Sequence, residues 1–315
     1  MTRNRIYIAP VGGLGNQLFE YVAGLSLCLS NDKELHVDLT LGNLRNSLKE
    51  HSPIERIQRL SNVKLFRGKG IKRLNRRIHL YLLRVSTNAN RFEATQLNRF
   101  FVSLVASCYF SIIYSDLVRV TLSNGVGYAP IVNGKLSQLV VGYFQSYKYL
   151  EELEVFKEFK VLPVRPSDLL KEMLEQASGE KVLILHVRLG DYLKEELLGN
   201  LNINYYDEAL KFHFSKISYT RIWVFSEDVD SAKKFIPIKY LDKCKWIEDV
   251  DGDEIYSLIA MQRGDGYIIA NSSFSWWGAR LSLNKSAVVV APKPWFSRIE
   301  SPIDLIPSNW HQLDV

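Results

Sequence analysis

Short polar side chains are concentrated in residues 271–278, which read Asn-Ser-Ser-Phe-Ser-Trp-Trp-Gly. The apolar residues 267–270 before them predict a buried strand, and residues 274–283 predict a helix. The first amide groups of a helix have no partners within it, and the helix dipole favours negative charge beside them. A strand, a serine-rich turn and a helix therefore predict an anion-binding site. The residues assigned to it are Asn271, Ser272, Ser273, Phe274 and Ser275.

A second group of residues whose side chains could bind a ligand or catalyse a reaction lies at the end of the strand predicted for residues 181–187. It consists of His186, Arg188 and Asp191. Side chains alternate along a strand, so His186 and Arg188 are expected on the same side. An arginine fork beside the open amides of a helix would bind a diphosphate from two directions.

Two carboxylates are expected at the same edge of the sheet. Glu227 and Asp228 follow the strand predicted for residues 221–225. Open parallel sheets bind ligands at the carboxyl ends of their strands. We therefore expect both side chains near Arg188, where they could accept hydrogen bonds from the base or the ribose of a nucleotide.

A glycine-rich turn, residues 12–17, separates a strand predicted at 5–9 from a helix predicted at 17–29. Taken alone, such glycines most often form a tight turn without a ligand. Together with the other two groups, they indicate an enzyme that handles a nucleoside diphosphate. The residues of this turn assigned to the donor are Gly13, Gly15 and Asn16.

The same turn allows a different function, that of a nicotinamide-dependent oxidoreductase. Asp38 ends the second predicted strand, where a ribose-binding acid would lie. The dinucleotide fingerprint requires a third glycine, however, and Leu18 occupies that position. A sugar-binding module without catalysis is a third interpretation, but it leaves the His186, Arg188 and Asp191 group unexplained.

Composition sets the outer limits. A chain of 315 residues is long enough for two domains, and its 47% hydrophobic and 23% charged residues are typical of globular proteins. The net charge of +6 suits an anionic substrate or surface. The three cysteines, Cys28, Cys108 and Cys244, are too far apart for a zinc site and favour a reducing compartment. We expect neither a signal peptide nor a membrane-spanning helix.

Alternation of predicted strands and helices favours an α/β fold built on parallel sheets. We place an N-terminal α/β domain at residues 1–160, with a basic helical insertion in its less regular middle. A C-terminal α/β domain follows at 167–297, and residues 298–315 form a tail. The segment 161–166 contains two prolines and is the expected linker.

The acidic clusters do not predict a metal site. Asp228 and Asp230 precede one predicted helix, and the cluster at 249–253 precedes another. Short acidic residues in such positions usually cap helices or lie in solvated turns. Neither spacing matches an EF-hand loop.

A basic stretch suggests contact with a membrane surface. Residues 64–91 contain nine Lys/Arg and no Asp/Glu. Apolar residues recur there at helical spacing, as in a helix that lies on an anionic membrane, although a solvated helix face would read the same way. The basic residues proposed to engage the membrane are Lys72, Arg73, Arg76 and Arg77.

Four blocks, in the order found here, resemble the inverting α-1,2-fucosyltransferase family in its soluble bacterial branch. They occupy residues 12–19, 142–146, 186–192 and 268–279. The resemblance implies a GT-B fold with two Rossmann-like domains facing a central cleft. It also implies GDP-fucose as the donor and no metal or other cofactor. The family usually has a second arginine after Arg188, where this chain has Leu189.

The resemblance implies transfer of L-fucose from GDP-β-L-fucose to a galactoside hydroxyl, with inversion and an α-1,2 linkage. Arg188, Asn16 and the amides near Ser273 would stabilise the leaving diphosphate. Asp191 is the expected base, with Glu195 and Glu196 as alternatives. Another nucleotide sugar on the same fold remains an alternative donor.

The acceptor is expected to be a glycan or a lipid-linked oligosaccharide, as in O-antigen or surface polysaccharide biosynthesis. The residues assigned to the acceptor are Gln17, Asp38 and Gln145. We expect a cytoplasmic enzyme, held at the inner face of the membrane by its basic residues, that binds no nucleic acid.

Overall fold

The computed structural model describes residues 4–40, 53–56, 63–67, 77–78, 81–83, 85–86, 95–123, 125–128, 134–151, 165–189 and 201–315. Predictions on Lys72, Arg73, Arg76, Asp191, Glu195 and Glu196 therefore lie outside the described residues. The chain divides into two compact units. The first comprises Met1–Lys160 and Pro302–Leu305, and the second comprises Val161–Ser301 and Ile306–Val315.

The first unit is a parallel sheet of five described strands in the order β3-β2-β1-β5-β4. The strands are β1 (Arg5–Ile8), β2 (Glu34–Asp38), β3 (Val63–Phe66), β4 (Val118–Leu122) and β5 (Ser137–Val141). The helices are α1 (Leu14–Leu29), α2 (Gln96–Tyr114) and α3 (Lys148–Glu151), with a 3₁₀ turn at Pro53–Arg56. Strand order reverses at β1. The next two strands in the chain, β2 and β3, lie on one side of β1, and β5 and β4 lie on the other.

Helix α1 is buried around most of its circumference and packs on β1 and β2. Gly24 makes this approach close, because a Cβ there would lie 2.9 Å from side-chain atoms of both Ile8 and Leu35. The helix begins at Leu14, three residues before the predicted start. Gly15 is therefore in its first turn and not in the preceding loop.

Helix α2 covers the open edge of the sheet. Its serine row, Ser103, Ser107 and Ser111, has a spacing of four residues and faces the edge strand β4. Ser107 Oγ accepts from the Val120 amide at 2.8 Å, and Ser111 Oγ accepts from the Val118 amide at 2.9 Å. Ser103 donates to the Val120 carbonyl and Ser111 to the Val118 carbonyl. An unpaired strand edge invites pairing with other chains, and side-chain hydroxyls satisfy this one.

The opposite side of α2 carries the outer apolar stripe. Its members are Leu97, Phe100, Phe101, Leu104, Val105, Cys108 and Ile112. Ala106 and Phe110, by contrast, are fully buried in the core beside Val118 and Val120. The large side chains of the outer apolar stripe are therefore outside the core.

No membrane-spanning helix was expected, yet α2 has the length and composition of one. Its 19 residues include an 18-residue window of mean hydropathy 1.4, of which 11% is buried. This helix was not predicted, because its serines and Arg99 interrupt the run of apolar residues. Those polar residues are hydrogen-bonded to the sheet, with Arg99 donating to the Ser123 carbonyl at 2.7 Å. They tie α2 to the first unit along its length.

The second unit is a parallel sheet of six strands in the order β11-β10-β9-β6-β7-β8. They are β6 (Val182–His186), β7 (Arg221–Phe225), β8 (Cys244–Ile247), β9 (Gly266–Ile268), β10 (Val288–Lys293) and β11 (His311–Asp314). The helices are α4 (Asp168–Gly179), α5 (Ile203–Lys216), α6 (Val229–Ala232), α7 (Glu254–Met261) and α8 (Ser273–Arg280). Short 3₁₀ helices cover Lys233–Phe235 and Ile238–Lys243. Strand order reverses between β6 and β9.

The central strands of this sheet were predicted, but its two edge strands were not. β6, β7, β9 and β10 carry apolar runs because neighbouring strands and helices bury them. β8 and β11 are partly or largely exposed, and their sequences have no such run. Residues 298–315, set apart as a tail, in fact contribute β11 to this sheet and residues 302–305 to the first unit.

Removing the Ser107 hydroxyl tests the contact between α2 and β4. In Ser107→Ala the Val120 amide loses its partner, which should lower the free energy of unfolding by about 1–3 kcal/mol. Chemical denaturation measures the change. Ser178→Ala is the control, since this exposed hydroxyl contacts only the Leu174 carbonyl of its own helix. Equal stability of the two variants would contradict the assigned role of the serine row.

Candidate functional site

The reversal of strand order in the second sheet brings two predicted groups together. β6 and β9 are neighbours, with Leu185 opposite Ile268. The residues after β6 and the turn after β9 therefore leave the sheet side by side. The ring centroids of His186 and Phe274 lie 6.3 Å apart, which places the N-terminus of α8 beside the end of β6. Ligands of open α/β sheets bind at such switch points.

The N-terminus of α8 is not capped by a side chain. Ser272 is in the capping position, but its hydroxyl makes no capping hydrogen bond. The first amide of the helix with a backbone acceptor is that of Trp276, which donates to the Ser272 carbonyl at 3.0 Å. Among the described residues, the amides of Ser273, Phe274 and Ser275 have no hydrogen-bond acceptor, as expected in a first helical turn. Such a turn can bind an anion.

Other members of this segment shape the turn. Ser275 Oγ donates to the Ser272 carbonyl at 3.2 Å, and the Asn271 amide donates to the Trp295 carbonyl at 3.4 Å. Both side chains are buried. Trp276 and Trp277, predicted as core residues, are fully buried. Ser273 and Phe274 are the partly exposed members of the group.

Arg188 is held in place by a carboxylate from the neighbouring strand. Its Nη1 lies 3.3 Å from Glu227 Oε1, and the same oxygen accepts from the Leu189 amide at 3.1 Å. Glu227, which follows β7, was predicted to bind the donor. The structure shows that Glu227 fixes Arg188 and the segment after β6, and its contact with the donor stays a prediction. An arginine fixed before a ligand arrives is preorganised for binding.

Leu189, in place of the family's second arginine, is an internal residue. It is buried in the core of the second unit together with Val187 and Tyr206. An apolar side chain there stabilises the segment that carries Arg188. Any role of a second arginine at this position is absent from this chain.

His186 is buried and neutral. Its side chain lies at the end of β6 with 4% exposure, and Nδ1 has no hydrogen-bond partner among the described residues. Burial, assisted by the charge of Arg188, lowers the pKa of His186 to about 3. The imidazole therefore stays uncharged at neutral pH. It can donate or accept a hydrogen bond, but it cannot act as a cationic acid.

The acidic clusters cap helices and close turns, as predicted. Asp228 accepts from the Ser231 amide at 3.0 Å and Asp253 from the Ile255 amide at 2.8 Å. Asp249 accepts from the Gly252 amide within the 249–253 turn. The carboxylate of Asp228 caps α6, and its contact with the donor stays a prediction. Within the described ranges, no three His, Cys, Asp or Glu side chains are grouped to hold a metal ion.

The reversal in the first sheet joins the other two predicted blocks. The loops after β1 and β5 meet there, and Gln145 donates to Asn16 Oδ1 at 3.1 Å. Gln145 is buried, and its Oε1 has no hydrogen-bond partner in the described part of the chain. Gly12 has a φ of +84°, which favours glycine. Gly13 is the N-cap of α1 and has no side chain to cap the first amides.

Two residues assigned to the acceptor are internal. Gln17 is buried and donates to the Gly12 carbonyl at 2.9 Å, so it holds the glycine turn. Asp38 is also buried, and it accepts from Thr40 with one oxygen and from the Tyr114 hydroxyl with the other, at 2.8 Å. The acceptor assignments of Gln17 and Asp38 stay predictions. The hydrogen bonds of Asp38 occupy both of its carboxylate oxygens, which disfavours it as the ribose-binding acid of the oxidoreductase alternative.

Sequence reasoning missed Glu20, a buried acid below the glycine turn. Its Oε2 accepts from the Val11 amide at 3.2 Å, and its Oε1 has no hydrogen-bond partner among the described residues. Burial raises the pKa of Glu20 well above its ordinary value, although the hydrogen bond from Val11 opposes this effect. The signal was available, since an acid inside the apolar run of α1 is an exception to the helix pattern.

Residues 142–312 match the model of Glycosyl transferase family 11. The chain belongs to this family. The match includes the end of β6 and the N-terminus of α8, so the switch point of the second sheet is part of a family 11 glycosyltransferase. The family predicted by resemblance is thereby confirmed.

Two related proteins of Escherichia coli are also glycosyltransferases. The chain is 25% identical to an alpha-1,2-colitosyltransferase of Escherichia coli over 313 residues, 96% of this chain and 97% of that protein. It is 31% identical to the O-antigen biosynthesis glycosyltransferase WbnK of Escherichia coli over 123 residues, 36% of this chain and 38% of that protein.

Solved structures show the fold. The fucosyltransferase NodZ from Bradyrhizobium is similar with a TM-score of 0.51 and 10% identity, over 96% of this chain and 100% of that chain. POFUT1 in complex with GDP is similar with a TM-score of 0.50 and 13% identity, over 92% of this chain and 98% of that chain. The prediction of a GT-B-type fold with two parallel-sheet α/β domains is confirmed.

Glu20 gives this family 11 enzyme a testable pH dependence. Because the folded pKa is raised, the carboxyl's contribution is fully present below its unfolded pKa and is lost as pH rises toward the folded pKa. Glu20→Gln has no proton to take up on folding. We expect its Tm to exceed that of the wild type at pH 8, with the difference shrinking toward pH 5.

Thermal unfolding at the two pH values measures this effect. Glu172→Gln, an exposed position on α4, is the matched control and should follow the wild type at both. A Tm difference for Glu20→Gln that is the same at pH 5 and pH 8 would contradict the protonated state of Glu20.

Proposed function

We propose that this family 11 glycosyltransferase transfers L-fucose from GDP-β-L-fucose to a galactoside hydroxyl of a glycan, with inversion and an α-1,2 linkage. The supporting observation is the switch point of the second sheet, where the open amides of α8 and the fixed Arg188 lie together. Amides and guanidinium are the donors that a diphosphate binds best. The GDP-bound structure of POFUT1, a protein of similar fold, agrees with a guanosine nucleotide.

The proposed mechanism is a single displacement. The acceptor hydroxyl attacks the anomeric carbon from the face opposite the diphosphate, and the bond from that carbon to the β-phosphate oxygen breaks. Negative charge then grows on the leaving diphosphate. Arg188 and the amides of Ser273, Phe274 and Ser275 lower the barrier if they bind this charge more strongly in the transition state than in the ground state. These donors carry the positive charge that a metal would otherwise supply, so we propose that no metal is required.

The acceptor hydroxyl also loses a proton. We keep Asp191 as the proposed base, with Glu195 and Glu196 as alternatives, and all three lie outside the described residues. His186 is proposed to act as a neutral hydrogen-bonding group, because burial keeps its pKa near 3. In the first unit, the unsatisfied buried Oε1 of Gln145 is the group that we propose for the acceptor.

The Escherichia coli relative that matches 96% of this chain favours a second donor. Colitose is L-fucose without its 3-hydroxyl group. A site that hydrogen-bonds this hydroxyl rejects the deoxy sugar strongly, whereas a site that packs apolar groups there discriminates only weakly. Comparing fucose and colitose donors therefore tests how the protein contacts position 3 of the sugar. In either case we propose an acceptor in surface polysaccharide biosynthesis, which is consistent with the name of the second relative.

Arg188 is the residue on which the donor assignment depends. Arg188→Ala should weaken GDP binding and lower the transfer rate by at least about 10²-fold, the effect of losing one preorganised donor. Arg188→Lys should restore only part of it, because lysine lacks the fork. Calorimetry with GDP and initial rates measure both effects. Arg221→Ala is the control, since Arg221 pairs with Glu180 at the amino end of β7. A wild-type rate in Arg188→Ala would show that the diphosphate does not bind at this switch point.

A donor series decides the sugar and the need for metal. We expect transfer to a β-galactoside from GDP-fucose, with GDP-colitose, GDP-mannose and UDP-galactose as competitors, in the presence of excess EDTA. Mass spectrometry of the product identifies the sugar, and NMR gives the linkage. A higher kcat/KM for GDP-colitose would favour the second donor. Loss of all activity in EDTA, with recovery on adding Mn²⁺ or Mg²⁺, would overturn the metal-free mechanism.

A further inference from the structure

The outer apolar stripe of α2 is a large hydrophobic surface without a partner in the described part of the chain. Its six large members, Leu97, Phe100, Phe101, Leu104, Val105 and Ile112, are between 49% and 78% exposed. Single exposed apolar residues are ordinary, but a contiguous stripe along five turns of helix marks an interaction surface. Phe100 and Phe101 also lie together, with ring centroids 5.9 Å apart.

A neighbouring segment, described at residues 77–78, 81–83 and 85–86, packs against α2. Leu83, from that segment, is buried in the same core cluster as Ala106 and Phe110 of α2, so the two elements pack together. Ile78 and Tyr81 of the same segment are exposed, at 41% and 65%. A tyrosine at the border of an apolar surface is typical of proteins that lie at a membrane–water interface.

Charge identifies the kind of partner. Helix α2 contains no acidic residue, and its single cation, Arg99, donates to a backbone carbonyl. Arg77 is exposed on the adjoining segment, and residues 64–91 carry nine Lys/Arg and no Asp/Glu. An exposed apolar stripe on a helix without acidic residues, with the exposed cation Arg77 on the adjoining segment, matches the surface of an anionic bilayer.

We propose that the outer apolar stripe of α2 docks this enzyme on the surface of an anionic phospholipid bilayer. The helix lies flat in the headgroup region, with the two phenylalanines and Leu104 entering the acyl boundary. It does not span the bilayer, because its serine row is hydrogen-bonded to β4 along the other side. The proposal does not depend on the identity of the donor sugar. It moves the main membrane contact from the predicted basic residues to an apolar helix.

Vesicle flotation tests the proposal with the full chain. At low salt we expect the protein to float with phosphatidylcholine vesicles that contain phosphatidylglycerol, and to float much less with phosphatidylcholine alone. Phe100→Ser with Phe101→Ser should reduce the floated fraction at least about fivefold. Both side chains are mostly exposed, so folding should persist, as the Tm and transfer to a soluble galactoside will show.

The matched control is Ile238→Ser with Ile303→Ser. These residues are 86% and 95% exposed and lie elsewhere in the chain, so their loss should leave flotation unchanged. Equal flotation of the two double variants would overturn the proposal, and so would failure of the wild type to float with anionic vesicles at low salt.

Cys108 provides a second measurement in the otherwise unaltered protein. It is exposed within the stripe, whereas burial raises the pKa of both Cys28 and Cys244 to about 12 and slows their alkylation. A polarity-sensitive fluorophore on Cys108 should shift to the blue on adding anionic vesicles. The same label on Ser178→Cys, in a Cys108→Ser background, should not shift.

A second copy of the chain is the other partner that could cover the outer apolar stripe. Light scattering after size-exclusion chromatography should give a monomer for the wild type and for the Phe100→Ser, Phe101→Ser variant. A wild-type dimer that this variant dissociates, together with an unshifted Cys108 label, would overturn the proposal and assign the stripe to a second copy of the chain.

Discussion

Open backbone amides at the reversal point of the second sheet are the feature on which the candidate donor site depends. A parallel sheet aligns all its carboxyl ends on one edge, and a reversal of strand order separates two adjacent loops there. In the second unit, the separated loops are those after β6 and β9, and α8 begins in the gap with its first amides open. In the first unit, they are the loops after β1 and β5.

The surrounding residues keep those donors available. Arg188 could collapse onto nearby carbonyls, but Glu227 holds it and also takes the Leu189 amide. Gln17 holds the glycine turn, and Gln145 holds Asn16. Each of these side chains joins residues at the edge of one sheet. Preorganisation of this kind costs nothing at the moment of reaction, which is why fixed donors stabilise a developing charge better than mobile ones.

Side-chain hydrogen bonds also satisfy backbone groups at the edge of the first sheet. β4 needs partners for its outer amides and carbonyls, and the serine row of α2 supplies them. The serine row fixes which side of α2 faces the sheet, and the outer apolar stripe lies on the other side. This gives the proposed membrane contact a fixed orientation on the first unit.

The sequence by itself determined the local elements and the family. Apolar runs gave β1, β2, β6, β7, β9 and β10, and four short blocks indicated a fucosyltransferase-type family that the comparison with family 11 confirms. These properties depend on neighbours within a few residues or on matching blocks. A helix whose polar residues face a strand has no simple amphipathic pattern, so α2 was missed.

Only the tertiary structure decided which polar residues remain open. Asp38 and Tyr114 are 76 residues apart in sequence, and Leu189 and Glu227 are 38 apart, so no local pattern could show that these carboxylates are occupied. Burial is likewise a property of the assembled unit, and it alone makes His186 neutral and raises the pKa of Glu20. The physical reason is the same in each case. Hydrogen bonding and desolvation depend on which atoms the fold brings within about 3 Å, and sequence spacing does not fix that distance.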